Sequence, residues 1–296
     1  MKIALVLGSG GARGFAHVGV IEELQARGHD ICAVAGTSMG ALVGGVYAAG
    51  GLAEFTDYVR KLGRADVLRL TDVTLGAPGL IRLTRVVEEL RRFVGDRAIE
   101  DLPIPYAAVA TDIDALREVW FRHGPLLPAI RASISIPGVF TPVRLQDRIL
   151  VDGGLLNPLP MGPVMDVDAE ARVGVSLFGA SPGFALRGPA SESSDGAHLT
   201  DEPDPGWLDR LGESLRRTKA APVDDLTHGT NLVAMSMRAL DVMQARIELA
   251  RTAMNAPDVI ISVPIQTANV LEFHRAAELI DLGRSLAASA FDAARL

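Results

Sequence analysis

The chain is 296 residues long, 48% hydrophobic and 22% charged, enough apolar material for a large core in a single α/β domain. A formal net charge of −7 excludes a general electrostatic pull toward nucleic acid or anionic lipid, so no nucleic-acid partner is expected and any lipid contact has to be local and apolar. The single cysteine, Cys32, allows no intrachain disulfide and reads as a small buried hydrophobe, in keeping with a reducing, cytoplasmic setting.

In chain order, the unbroken apolar run Ile3-Ala4-Leu5-Val6-Leu7 predicts a central strand over residues 2–7, covered on both faces. The run has only the length of a strand, ends in glycines and is followed at once by Arg13, so it is read as a first strand and not as a signal peptide. No uninterrupted apolar segment reaches the length of a membrane span. Next comes Gly8-Ser9-Gly10-Gly11-Ala12-Arg13-Gly14, then a helix over residues 16–27 with Val18, Ile21 and Leu24 on one side and Gly28 as its stop. The glycine loop fails as a dinucleotide fingerprint, because the last required glycine position, counted from Gly8, holds Arg13. It also lacks the Gly-Lys-Ser/Thr ending of a phosphate loop. What it offers is bare backbone N–H groups at a helix start, the raw material of an oxyanion hole.

Residues 31–35 predict a second buried strand, which ends at Gly36-Thr37-Ser38-Met39-Gly40 and restarts as a small-residue helix over 41–49. This is a G-x-S-x-G pattern in a strand–turn–helix context. The turn is sharp enough to need residues without a β-carbon at Gly36 and Gly40, and it presents the Ser38 hydroxyl near the positive end of the following helix. The order strand, loop, helix, strand, elbow, helix predicts right-handed crossovers and a parallel sheet.

Helices are predicted over 52–62 and 80–94, the second with Leu83, Val86, Val87, Leu90 and Phe93 inward and Arg82, Arg85, Arg91 and Arg92 on a solvated face. A strand over 106–111 and its antiparallel partner over 118–122 precede a short helix over 126–133 and the rigid loop Ser135-Ile136-Pro137-Gly138-Val139-Phe140-Thr141-Pro142. Residues 148–151 then predict a strand that delivers Asp152 to a tight turn at Gly153-Gly154, the kind of strand end at which α/β folds place functional carboxylates. After a strand over 172–178, the polar composition of 179–229 predicts an insertion, with a short helix near 207–219. A helix over 231–254 follows, its methionines read as core filler, then a last strand over 259–263 and C-terminal helices over 268–288.

A serine nucleophile needs a base. The histidines after Asp152 are His198, His228 and His274; two fall in the polar insertion, one inside a helical stretch, and none has the context of a general base. The economical arrangement is a pair, Ser38 activated directly by Asp152. A histidine-triad esterase or thioesterase, and a non-catalytic regulator that keeps the fold, stand as the alternatives.

Together and in this order, the glycine loop, the elbow, the Ser135–Pro142 loop and Asp152-Gly153-Gly154 resemble the motif set of the patatin-like phospholipases. The resemblance covers residues 1–160, and the strand and helix after the insertion are similar to the short bacterial members. It implies one domain with a three-layer α/β/α sandwich and a mainly parallel central sheet. It also implies Ser38 as nucleophile, Asp152 as base, backbone oxyanion donors at Gly10, Gly11 and Ala12, and Arg13 holding that loop. Lipid acyl esters are the implied substrates, met by transient membrane-surface contact, with no metal or other cofactor. Where the family often has three consecutive glycines, this chain has Ser9 in the first place.

Overall fold

The first strand, β1 (Lys2–Leu7), divides the molecule into layers: Ile3, Leu5 and Leu7 enter one apolar core, Ala4 and Val6 another on the opposite face. A strand apolar at every position from Ile3 to Leu7 belongs in the middle of a sheet, because its side chains alternate between two buried faces. The computed structural model describes residues 1–70, 72–73, 81–179 and 232–296.

After β1 come α1 (Ala16–Ala26), β2 (Asp30–Thr37), α2 (Met39–Ala48), α3 (Leu52–Val59) and α4 (Arg64–Leu70). A small ribbon of β3 (Asp72–Val73) and β4 (Ile81–Arg82) leads to α5 (Thr84–Val94), β5 (Tyr106–Asp112), β6 (Arg117–Phe121) and α6 (Leu126–Ser133). The chain continues through β7 (Val143–Leu145), β8 (Arg148–Asp152), β9 (Ala171–Gly179), α7 (Leu232–Met254), β10 (Val259–Pro264) and α8 (Ala276–Ala294). β10, β9, β1, β2 and β5 lie side by side and parallel, and β6, β8 and β7 extend the sheet in antiparallel pairings.

Helices cover the first face, where α1 and α8 cross so closely that a β-carbon at Gly19 would strike the Ile280 carbonyl and one at Gly283 the Ala16 carbonyl. The second face is covered by Leu159, Met161 and Val164, packed on Ala4, Val6, Ala35 and Ala107, and by α7, whose Glu248 bonds to Ser176 of β9. The fold is therefore an α/β/α sandwich around a mainly parallel sheet. Each fully buried aliphatic side chain in these layers contributes about 1.5–3 kcal/mol.

One detail of the sheet decides the site. β2 and β6 both pair with Ala108 and Val109 of β5, so they occupy opposite edges of it. β8 pairs with 110–112, which β6 also does, so β8 shares the edge of β2. The two strands meet head-on there: β2 runs parallel to β5 and its Thr37 faces Val109, while β8 runs antiparallel and its Asp152 faces Ala110.

Four expectations need correction. The helix predicted over 80–94 starts at Thr84, because Ile81 and Arg82 pair with Val73 and Asp72 instead. The C-terminal helices predicted over 268–288 reduce to one, α8, which runs on to Ala294 and is preceded by single 3-10 turns at Ile265–Thr267 and Phe273–Arg275. Cys32 is only half-buried, its Sγ 3.4 Å from the Ile3 carbonyl, and burial raises its thiol pKa. Three of the four methionines of α7 are not core filler: Met235, Met243 and Met254 are exposed, because the helix turns polar residues inward, while the half-buried Met237 packs on the core as expected. The arginines of α5 are exposed as expected, with Arg92 paired to Glu89 and Arg91 to Asp96. The polar insertion expected over 179–229, including the helix near 207–219, lies outside the described residues except for Gly179.

Candidate active site

Ser38 stands between β2 and α2 with φ 56° and ψ −123°, a backbone conformation costing a side-chain-bearing residue about 1–3 kcal/mol. Packing imposes it. A β-carbon at Gly36 would strike the Gly40 carbonyl, and one at Gly40 the Leu7 carbonyl, so α2 starts hard against the sheet and the turn has no room to relax. The Ser38 N–H donates to Ser133 Oγ at 2.9 Å, and that hydroxyl donates to the Val109 carbonyl at 2.6 Å. A buried serine of α6 thus ties the elbow to β5.

The Ser38 hydroxyl donates to Asp152 Oδ2 at 2.5 Å, with both residues 3% exposed. The other oxygen, Oδ1, accepts from the Gly154 N–H at 2.7 Å, and Gly153 packs against the Val109 carbonyl. The Asp152 N–H donates to the Ser135 carbonyl at 2.9 Å, and Arg131 holds that loop by bonds to Ser135 Oγ and the Thr141 carbonyl. Burial pushes the Asp152 carboxyl up to about 7, against the bonds from Ser38 and Gly154 that lower it. Desolvation of the charged form outweighs two hydrogen bonds, leaving a carboxylate basic enough to take a proton near neutrality.

The glycine loop faces this pair. Ser9, Gly10 and Gly11 line a small cavity with Ser38 and Asp152, and α7 closes it with Met237, Leu240 and Gln244. Gly11 has φ 57°, and a β-carbon there would strike the Val270 carbonyl, so only glycine fits. The Gly10 and Gly11 N–H groups form no hydrogen bond among the described residues, whereas the Ala12 N–H donates to the Val270 carbonyl at 2.9 Å. The Ala12 donor is therefore already engaged, unlike those of Gly10 and Gly11. Arg13, 1% exposed, spans the Gly10 and Ile265 carbonyls and Asp241 Oδ1 at 2.8–3.1 Å. Ser9 Oγ donates to Gln244 Oε1 at 2.7 Å, so the side chain standing at the family's glycine position anchors the loop to α7. His17 Nε2 donates to the Gly8 carbonyl at 2.9 Å; burial pushes the ring down to about 4 and keeps it neutral.

From Ser38 and Gly11 a second cavity, about 130 Å³, runs between the helices past Leu42, Phe55, Leu90, Phe140 and Phe273. Its wall is almost entirely hydrocarbon and suits an acyl chain. His274 lines neither cavity and accepts from Arg64 Nε at 3.4 Å; His198 and His228 lie outside the described residues. Among those residues, no group of three or more His, Cys, Asp or Glu could hold a metal ion, and no helix is long and apolar enough to cross a membrane.

A model of the patatin-like phospholipase family matches residues 5–165, the span that carries all four motifs. The chain belongs to this family. An uncharacterized NTE family protein of Mycobacterium tuberculosis strain H37Rv is 40% identical to it over 99% of this chain and 92% of that protein. The patatin-like phospholipase domain-containing protein 6 of Mus musculus is 33% identical over 59% of this chain but only 13% of that protein. Among solved structures, VipD from Legionella pneumophila aligns over 98% of this chain and 67% of its own, at 14% identity and a TM-score of 0.44. Membership in the patatin-like phospholipases supports lipid acyl hydrolysis as the general activity and lipid esters as the substrate class.

Sequence reasoning missed Ser133, Asp241 and Gln244. In sequence Ser133 is only the last residue of the short helix expected over 126–133. The two α7 residues contact a loop more than 200 positions earlier, and no local pattern signals such a contact.

Proposed function

We propose that the chain is a serine acyl hydrolase that cleaves fatty-acyl esters of lipids, phospholipids included, through a Ser38–Asp152 dyad. The observation that carries this reading is the bond from Ser38 Oγ to Asp152 Oδ2 at 2.5 Å, at the head of an apolar cavity. As the serine oxygen attacks the ester carbonyl, Asp152 takes its proton, and the Gly10 and Gly11 N–H groups with the positive end of α2 receive the oxyanion. Collapse of the tetrahedral intermediate returns the proton from Asp152 to the departing alcohol and leaves an acyl group on Ser38. Water enters, gives its proton to Asp152 as it attacks, and the fatty acid leaves with the Ser38 hydroxyl restored. Arg13 acts as a positioning residue that keeps Gly10 in place.

The test is turnover of a short-chain nitrophenyl ester by Ser38→Ala and Asp152→Asn. Each is expected to lose about a thousandfold or more, as members of such a unit do, and a fluorophosphonate should label Ser38 in the wild type alone. Full activity in either variant would reject the dyad. Full activity in Asp152→Asn with none after loss of His198 or His228 would favour the histidine-triad alternative.

A further inference from the structure

We infer that the outer face of α7 is a docking surface for an anionic lipid interface. The inference rests on the lipid acyl hydrolase reading and names how that site meets its substrate. α7 is amphipathic in the inverted sense. Its carboxylates and its glutamine point inward, Asp241 to Arg13, Gln244 to Ser9 and Glu248 to Ser176. Large apolar side chains point outward: Met235, Val242, Met243, Leu249 and Met254 are 49–74% exposed. Met235, Val242 and Leu249 follow one another at seven-residue spacing and form a single stripe along two turns at a time. Arg238 and Arg246 are exposed and make no ion pair among the described residues. Both carboxylates of the described helix, Asp241 and Glu248, face in, so its outer face carries hydrocarbon and arginine and no negative charge.

Two features select the occupant. Charge comes first: a chain of net charge −7 has no general attraction to anionic surfaces, and on α7 the exposed Arg238 and Arg246 flank hydrocarbon with no carboxylate of the helix on the same face, which is the composition of a helix lying in a headgroup layer. Continuity with the substrate cavity comes second. The same helix closes the space above Ser38 and Asp152 with Met237 and Leu240, so a lipid surface against its outer face brings acyl esters to the edge of that cavity. Polar anchoring of the inner face to the glycine loop leaves the apolar face free for the interface at no cost to the core.

The experiment is co-sedimentation of the full chain with vesicles of phosphatidylcholine alone and of phosphatidylcholine mixed with phosphatidylglycerol. Wild type should partition onto the mixed vesicles. Val242→Asp/Leu249→Asp and Arg238→Glu/Arg246→Glu should each weaken that partition by about tenfold or more, while hydrolysis of a soluble nitrophenyl ester stays at the wild-type rate and shows that the variants are folded. Equal partition of wild type and both variants, or none by wild type, overturns the inference. So does a dimer in light scattering that Val242→Asp/Leu249→Asp splits without any vesicle binding, since the face is then a contact between copies. Vesicle binding by a wild type that hydrolyses no ester would sink the hydrolase reading and leave the docking surface standing. Ester turnover without vesicle binding would do the reverse.

Discussion

A carboxylate with its pKa pushed up to about 7 by burial makes both activity and stability depend on pH, in opposite senses. Below pH 7 Asp152 increasingly holds a proton and cannot accept one from Ser38. The kcat/KM for a soluble ester should therefore rise about tenfold per unit through the acidic range and level off above neutrality. A profile flat from pH 5 to 8 would contradict this. For stability, the folded chain keeps a proton between about pH 3.8 and 7 that the unfolded chain has already lost, so stability falls as pH rises through that window. Asp152→Asn removes the penalty, and its melting temperature should gain on the wild type as pH increases across the window. At Ser133, one hydroxyl serves both the Ser38 N–H and the Val109 carbonyl. Ser133→Ala leaves both buried groups unpaired and should cost about 1–3 kcal/mol in denaturant titration. Its kcat should fall more than its KM rises, because the elbow geometry and not substrate binding is loosened.

Among the elements, α7 holds the glycine loop proposed to receive the oxyanion. Arg13 reaches three acceptors on three segments, and its planar fork is what allows it. Lysine offers one point charge and cannot span them. Arg13→Lys should lose about 2–4 kcal/mol, as expected when a buried charged network is broken. The folded fraction should show reduced kcat at similar KM; an unchanged kcat would mean that Gly10 is held by the sheet alone. The strand, the elbow, the helix and the Asp-Gly-Gly turn were all legible in the sequence because each is a local pattern with a local cause. The outward methionines were not, since apolar periodicity says that a helix has an apolar side without saying which way it faces. Here burial of Arg13 and Ser9 decided that, by drawing Asp241 and Gln244 inward.

Across the whole molecule, the N-terminal and C-terminal ends are locked by the α1–α8 crossing, where Gly19 and Gly283 admit backbone against backbone. Gly283→Ala should push α8 outward and destabilise the chain by about 1–3 kcal/mol. That corresponds to a melting-temperature drop of roughly 2–4 °C per kcal/mol for a chain of this size, read by calorimetry. The activity of the remaining folded protein on a soluble ester should be preserved, because neither glycine touches the cavity beside Ser38 and Asp152.

By itself the sequence determined the parallel α/β core, the shape of the elbow and the identity of the four motifs, because glycine spacing, apolar runs and turn chemistry act over a few residues. It pointed to Asp152 as the partner of Ser38 without showing how the two meet: the 114 positions between them are closed by β5, whose single edge is shared by two strands running toward each other. Only the tertiary structure decided that meeting, the engagement of the Ala12 N–H by Val270, and the inversion of α7. The reason is common to all three. Each is a contact between segments far apart in the chain, and its energy comes from satisfying buried polar groups that no local pattern can pair in advance.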